Sequence, residues 1–129
     1  MTDDNCSVSK MQTILLVDDD RSIRIAWKRI LQLEGYRVET ASDGDAGLDT
    51  ANRVQPVLIT ADRSIPGMDG IEFCHRLRRE LKLAGVPVVL ASAEHEFAFG
   101  APVWDEFWQK PVSVETMLAS IRRLVALSS

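Results

Sequence analysis

With 129 residues, 46% of them hydrophobic and 26% charged, the chain has the size and make-up of one globular domain with a core of its own. Fifteen basic against nineteen acidic residues leave a formal net charge of −4, which speaks against direct nucleic-acid binding, and no apolar run is long enough to span a membrane. The polar, acidic opening MTDDNCSVSKMQ is no secretory signal, and Cys6 and Cys74 imply no disulfide framework, so a reducing, cytoplasmic setting is expected.

Residues 1–11 read as a flexible tail and residues 12–129 as one domain. ILLV at 14–17 is a continuous apolar run, the pattern of a strand covered on both faces, and it ends in three aspartates. Ile23, Ala26, Trp27, Ile30 and Leu31 then recur at helical spacing, with Asp20 or Ser22 as the start cap and Gly35 at the end. YRVETA at 36–41 is a more polar strand, expected at an edge. Residues 44–53 make a weak helix, because Gly47, Asp49, Thr50 and Asn52 all lower propensity. VLITA at 57–61 is a third buried strand running into Asp62. Ile71, Cys74, Leu77 and Leu81 mark a helix with Asp69 near its start and Gly85 past its end. VPVVLA at 86–91 is a fourth strand ending at Ser92, and EFWQ at 106–109 a short fifth. Val114, Met117, Leu118, Ile121, Leu124 and Val125 form the best helical stripe in the chain.

This alternation predicts a parallel sheet with helices on both faces, in which ligands bind beyond the carboxyl ends of the strands. Those ends carry Asp18 and Asp19, Asp62, Ser92 and Lys110. Singly, each has an ordinary explanation: a helix cap, a turn residue, a loop hydroxyl, a surface lysine. Together they place three carboxylates, a hydroxyl and an amine around one crevice. Clustered carboxylates repel unless a cation intervenes, and an all-oxygen site suits a hard ion, Mg²⁺ first. A carboxylate beside Mg²⁺ can accept a phosphoryl group, with metal and lysine neutralising the transferring oxygens and Ser92 donating a hydrogen bond. The set fits reversible phosphorylation of Asp62.

At these residues the sequence resembles the receiver domain of two-component response regulators. ILLVDDD with Ser22-Ile23-Arg24 is similar to the family's first strand, acidic pair and helix start. PVLITADRSIPGMDG at 56–70 resembles the phosphoacceptor segment, VVLASA at 88–93 the fourth strand with its switch hydroxyl, and DEFWQKPV at 105–112 the fifth strand with its Lys-Pro. The resemblance covers about residues 12–127 and implies a flavodoxin-like, doubly wound five-stranded sheet in the order 2-1-3-4-5. It also implies Asp62 as phosphoacceptor. Asp19 and Asp62 would bind Mg²⁺ directly, Asp18 largely through water, and the Ser64 backbone carbonyl would complete the protein ligands. Lys110 would pair with Asp62 ahead of a cis Pro111, and Phe107 would be an aromatic switch coupled to Ser92. Ser64 and Glu94 would tune dephosphorylation. The donor would be a phosphohistidine on a sensor histidine kinase or a histidine phosphotransfer protein, and the chain would be a signalling protein rather than an enzyme in its own right.

Three rivals remain at this stage. A haloacid dehalogenase-type phosphatase would use Asp18-x-Asp20, but it leaves Asp62 without a role and lacks an acidic pair after the lysine. A flavin mononucleotide binder fits poorly with an acidic loop after the first strand. A receiver-fold docking module that is never phosphorylated would not need the intact acidic set. No effector segment is expected after the last helix, which fits either a stand-alone receiver or part of a larger regulator. One departure from the family stands out. Only seventeen residues separate Ser92 from Lys110, and AEHEFAFGAPVWDE has no sustained helical stripe and is interrupted by Gly100 and Pro102. The fourth helix of the family is therefore expected to be short, absent or mobile, with Phe97, Phe99 and Trp104 in a loop beside the site. That would remove the usual dimer face and leave Phe97–Phe99 as a docking patch.

Overall fold

The computed structural model describes residues 12–93 and 103–128. Five strands, β1 (Thr13–Val17), β2 (Arg37–Ala41), β3 (Leu58–Asp62), β4 (Val88–Ser92) and β5 (Glu106–Gln109), form one sheet in the order β2-β1-β3-β4-β5. Every ladder is parallel. Four helices are described: α1 (Arg21–Leu33), α2 (Gly44–Val54), α3 (Gly70–Arg79) and α4 (Val114–Ser128). The expected flavodoxin-like order and the edge position of β2 are both found.

The continuous apolar runs follow from burial on both faces, because successive strand residues point to opposite sides. Leu15, Val17, Ile59, Ala61, Val88 and Leu90 face Phe73, Cys74 and Leu77 of α3. Ile14, Leu16, Leu58, Val89 and Trp108 face Leu31 of α1 and Met117 and Ile121 of α4. Each α3 and α4 residue named here is fully buried, as is Leu31.

Local chemistry sets the helix boundaries. Asp20, not Ser22, caps α1, accepting hydrogen bonds from the Ser22 and Ile23 amides. Helix α2 runs its full length despite poor propensity. Asp43 caps it, and a Cβ at Gly47 would lie 2.9 Å from a Phe73 ring carbon, so its glycines permit a close approach that a better helix former would block. Two expectations at the end of α3 are corrected. The helix stops at Arg79, which leaves Leu81 in a turn, 96% exposed, and Gly85 too far along to close it. Leu83 turns inward in its place and is fully buried. In α4 the stripe holds from Met117 to Val125, while Val114, in the first turn, is exposed.

The tail at 1–11, Glu94, Phe97, Phe99 and the question of a helix between β4 and β5 lie outside the described residues. Trp104 is described, and it packs half-buried against the core on the α2–α3 side.

Candidate functional site

The sheet itself positions the site, because its hydrogen bonding continues one rung past three strand ends. The Asp18 amide donates to the Ala41 carbonyl at 3.0 Å, the Arg63 amide to Ala91 at 2.8 Å, and the Lys110 amide to Ser92 at 2.8 Å. The backbones of Asp18, Asp62 and Lys110 are thus held at one level above the sheet. The loop after β3 is drawn in tightly. Gly67 takes a left-handed φ of +86° after Pro66, and the Gly70 amide donates to the Arg63 carbonyl at 2.7 Å. Gly70 has no alternative, since a Cβ there would sit 2.6 Å from the Asp62 carbonyl oxygen and 2.8 Å from the Arg63 Cα.

At this level the charged groups meet. Lys110 Nζ lies 3.1 Å from Asp62 Oδ2 and 3.5 Å from Asp18 Oδ2. Asp18 is buried, Asp62 partly so, and Asp19 is exposed at the rim. The Asp18 Oδ1 accepts the Asp20 amide at 2.9 Å, and Arg24 Nη1 donates to the Asp18 backbone carbonyl at 2.8 Å. Burial pushes the Asp18 carboxyl above its usual range. The Asp20 amide and Lys110 act against this, and the charge of Asp62 adds to it.

Asp18, Asp19 and Asp62 each offer a carboxylate oxygen, and these oxygens lie within 4.8 Å of one another. An all-oxygen, anionic set with a water-facing side fits the few protein ligands that Mg²⁺ takes. Ser92 is buried at the end of β4, and Phe107 is half-buried on β5 against the α2–α3 core. Ser64 is exposed, with its amide 3.4 Å from Asp62 Oδ1. The Lys110–Pro111 bond is cis, as expected. The structure therefore brings together Asp18, Asp19, Asp62 and Lys110, while Glu94 lies outside the described residues.

Sequence reasoning missed four contributors. Arg24 falls inside the recognised Ser22-Ile23-Arg24 run, but nothing in its type revealed its bond to Asp18. Gly70 directly follows the cap residue Asp69, and that adjacency was the available signal. Trp27 and Trp108, distant in sequence, meet with ring centroids 6.0 Å apart, a contact that only the fold brings about.

An open parallel sheet with an acidic pocket and a lysine beyond its strand ends places the chain among the doubly wound α/β proteins, whose ligands bind at that end of the sheet. Residues 14–122 match the family model for the response regulator receiver domain, and the chain belongs to that family. It is 38% identical over 122 residues to the DNA-binding dual master transcriptional regulator RpaA of Synechocystis, covering 89% of this chain and 49% of that one. Among solved structures it is similar to the chemotaxis response regulator CheY4 of Vibrio cholerae, with 31% identity and a TM-score of 0.79 over 89% of this chain and 99% of that one. It is also similar to the response regulator TrrA of Thermotoga maritima, solved in complex with Mg²⁺–BeF, with 28% identity and a TM-score of 0.79 over 88% and 99% of the two chains. The chain spans about half the length of the curated relatives it matches. It is thus a receiver domain of two-component signalling, which sets aside the phosphatase and flavin readings. Among the described residues, no helix is long and apolar enough to cross a membrane.

Proposed function

We propose that Asp62 is the phosphoacceptor of this receiver domain and that it takes its phosphoryl group from a phosphohistidine on a sensor histidine kinase or a histidine phosphotransfer protein. The observation that carries this reading is the Lys110 ammonium, 3.1 Å from an Asp62 oxygen in a pocket shared with Asp18 and Asp19. An Asp62 oxygen forms the new O–P bond as the N–P bond breaks, and the imidazole nitrogen keeps the electron pair and takes up a proton. Lys110 is placed to neutralise oxygen charge as it develops. Asp18, Asp19, Asp62 and the Ser64 carbonyl would hold Mg²⁺, which when bound neutralises phosphoryl oxygens. Ser92 is the donor to a phosphoryl oxygen, and Phe107, on the same face of the sheet, reports that contact from β5. Later attack by water returns Asp62 and releases phosphate, a step whose rate Ser64 and Glu94 would tune. Under this reading the protein works in the cytoplasm, and the resulting conformational change acts on an output partner or on a further segment of a longer regulator.

The test is labelling by acetyl phosphate with Mg²⁺. Wild-type protein should incorporate label, and Asp62→Asn should incorporate none while remaining folded. Label at full stoichiometry in Asp62→Asn would refute the assignment. An unlabelled wild type that still binds its partner would favour the docking-module reading.

A further inference from the structure

Directly beneath the acidic rim, α1 stands away from the sheet and leaves a cavity of about 350 Å³. The gap has an identifiable cause. On this face of the sheet the strands present Thr60, beside Leu16, and Ala91, opposite Asp62, where bulkier residues would fill the space. Trp27 of α1 and Trp108 of β5, tilted 51° to each other, form one wall, and Ile23 and Val112 close the sides. The polar groups gather at the mouth: Asp18, Asp62, Lys110 and Arg24. On the function proposed above, a hydrated cation and a phosphoryl group would use that mouth, and neither could use the interior. Water gains little there, because a buried water needs two to four polar partners and the walls supply almost none. The volume falls at the lower end of the range of small-molecule sites, about 300–1,000 Å³, and exceeds the roughly 150 Å³ that holds benzene in an engineered apolar cavity.

We propose that this cavity is a binding site for an uncharged, planar aromatic molecule of one or two rings, stacked on the wall that Trp27 and Trp108 form, with its edge toward Lys110. The paired indoles select a flat, polarisable body. The apolar interior selects against charge, because it would strip a charged group of water without supplying a partner. The Lys110 ammonium is already paired with Asp62 and Asp18, and Arg24 is held on the Asp18 carbonyl. An anionic ligand would meet Asp18 and Asp62, and a cationic one would compete with Lys110 for them. Because Asp18, Asp62 and Lys110 line both the cavity and the acidic site, a ligand that shifts any of them changes the acidic site. By linkage, the occupancy of each site then affects the affinity of the other.

The experiment is an indole titration of the full chain followed by amide and tryptophan side-chain ¹H–¹⁵N NMR, without Mg²⁺ or phosphoryl donor. The readout is therefore independent of Asp62's role as acceptor. Saturable shifts should centre on Trp27, Ala91, Trp108 and Val112, with a dissociation constant of about 1 mM or tighter. Indole-3-acetate and tryptamine should bind at least several-fold more weakly. Ala91→Leu, which fills the cavity from the sheet, should weaken indole at least tenfold. Ile23→Trp, which fills it from the half-exposed face of α1, should do the same and serves if Ala91→Leu does not fold. The proposal is overturned if shifts are absent up to the solubility limit, centre on another surface, or persist undiminished in the filled variants. Equal binding of the charged analogues would overturn the assigned ligand class.

Discussion

Replacing Gly70 with alanine adds one methyl group at the point where α3 meets the acceptor loop. The new Cβ would lie 2.6 Å from the Asp62 carbonyl oxygen, 2.8 Å from the Arg63 Cα and 2.8 Å from Leu90 Cδ1. The first two neighbours are backbone, so the clash cannot be relieved by turning a side chain. Either the loop shifts or α3 lifts, which lengthens the 2.7 Å bond from the Gly70 amide to the Arg63 carbonyl. Overpacking of this kind costs about 1–3 kcal/mol, and alanine's better helix propensity returns at most about 1 kcal/mol. A net loss of about 1–2 kcal/mol lowers the midpoint of a domain this size by roughly 3–8 °C. Gly85→Ala is the internal control. Its Cβ meets nothing within 4 Å and its φ is not left-handed, so it should be neutral or slightly stabilising. Thermal melts of both variants, with and without Mg²⁺, separate packing from site geometry. Gly70→Ala should also bind Mg²⁺ more weakly, because the strained backbone is that of Asp62 itself. A Gly70→Ala protein as stable as wild type, with unchanged Mg²⁺ affinity, would refute the reasoning.

Mg²⁺ should raise the thermal midpoint of the wild type, by about 2.7 kcal/mol of stability at a hundredfold excess over its dissociation constant. The gain should shrink in Asp19→Asn, and an equal gain would place the metal elsewhere. Arg78 donates to the carbonyls of Val103, Ala84 and Val86 and to Asp105, whose carboxylate also accepts the Val88 amide. Arg78→Met should therefore cost about 2–3 kcal/mol in urea denaturation, and Arg78→Lys should recover little of it; a loss below about 0.5 kcal/mol would show that the clamp is idle. Burial works to raise the Glu106 carboxyl, but hydrogen bonds from Ser120, Arg123 and Trp108 together outweigh it and hold the group below its usual range. A depressed carboxylate contributes stability above its unfolded value and loses it as pH falls through the folded one. Glu106→Gln should therefore be less stable than wild type near neutrality, with the difference closing as the pH drops below about 4; a constant difference across that range would contradict the sign.

The fold was legible because its signals are redundant. ILLV, VLITA and VPVVLA are apolar on both faces and cannot serve as half-exposed strands. The site was legible because its residues close those runs, so that Asp18, Asp62 and Lys110 could be placed at one end of the sheet without knowing any distance. The same reading failed where tertiary packing overrides local preference. Helix α2 looked weak on propensity, yet Gly44 and Gly47 are buried in it, and Gly47 lies against Phe73. Leu81 matched the helical spacing and is almost fully exposed, because α3 stops two residues earlier and Leu83 fills the core instead. Arg24 could not be assigned, since an arginine six residues beyond Asp18 is equally at home in solvent.

Charge explains why these four site residues need one another. Asp18, Asp19 and Asp62 set three carboxylates against the single ammonium of Lys110, which lies closer to Asp62 than to Asp18. Asp18 bears most of the strain, since its burial favours the protonated form. A divalent cation at this cluster would offset the excess negative charge and favour the ionised form of Asp18. Adding a phosphoryl group to Asp62 would increase the negative charge again and give Lys110 more negative oxygens to bind, drawing it from Asp18. Lys110 sits at the end of β5, hydrogen-bonded through its amide to the Ser92 carbonyl. Any change in its pairing is therefore felt on β4 and β5, the strands that carry Ser92 and Phe107. If the proposed switch holds, the link from charge to conformation runs through one side chain, and exchanging Lys110 for methionine should uncouple Phe107 from the state of Asp62 even where acetyl phosphate still labels it. Aromatic ¹³C shifts of Phe107 that follow labelling unchanged in Lys110→Met would show that the signal takes another route.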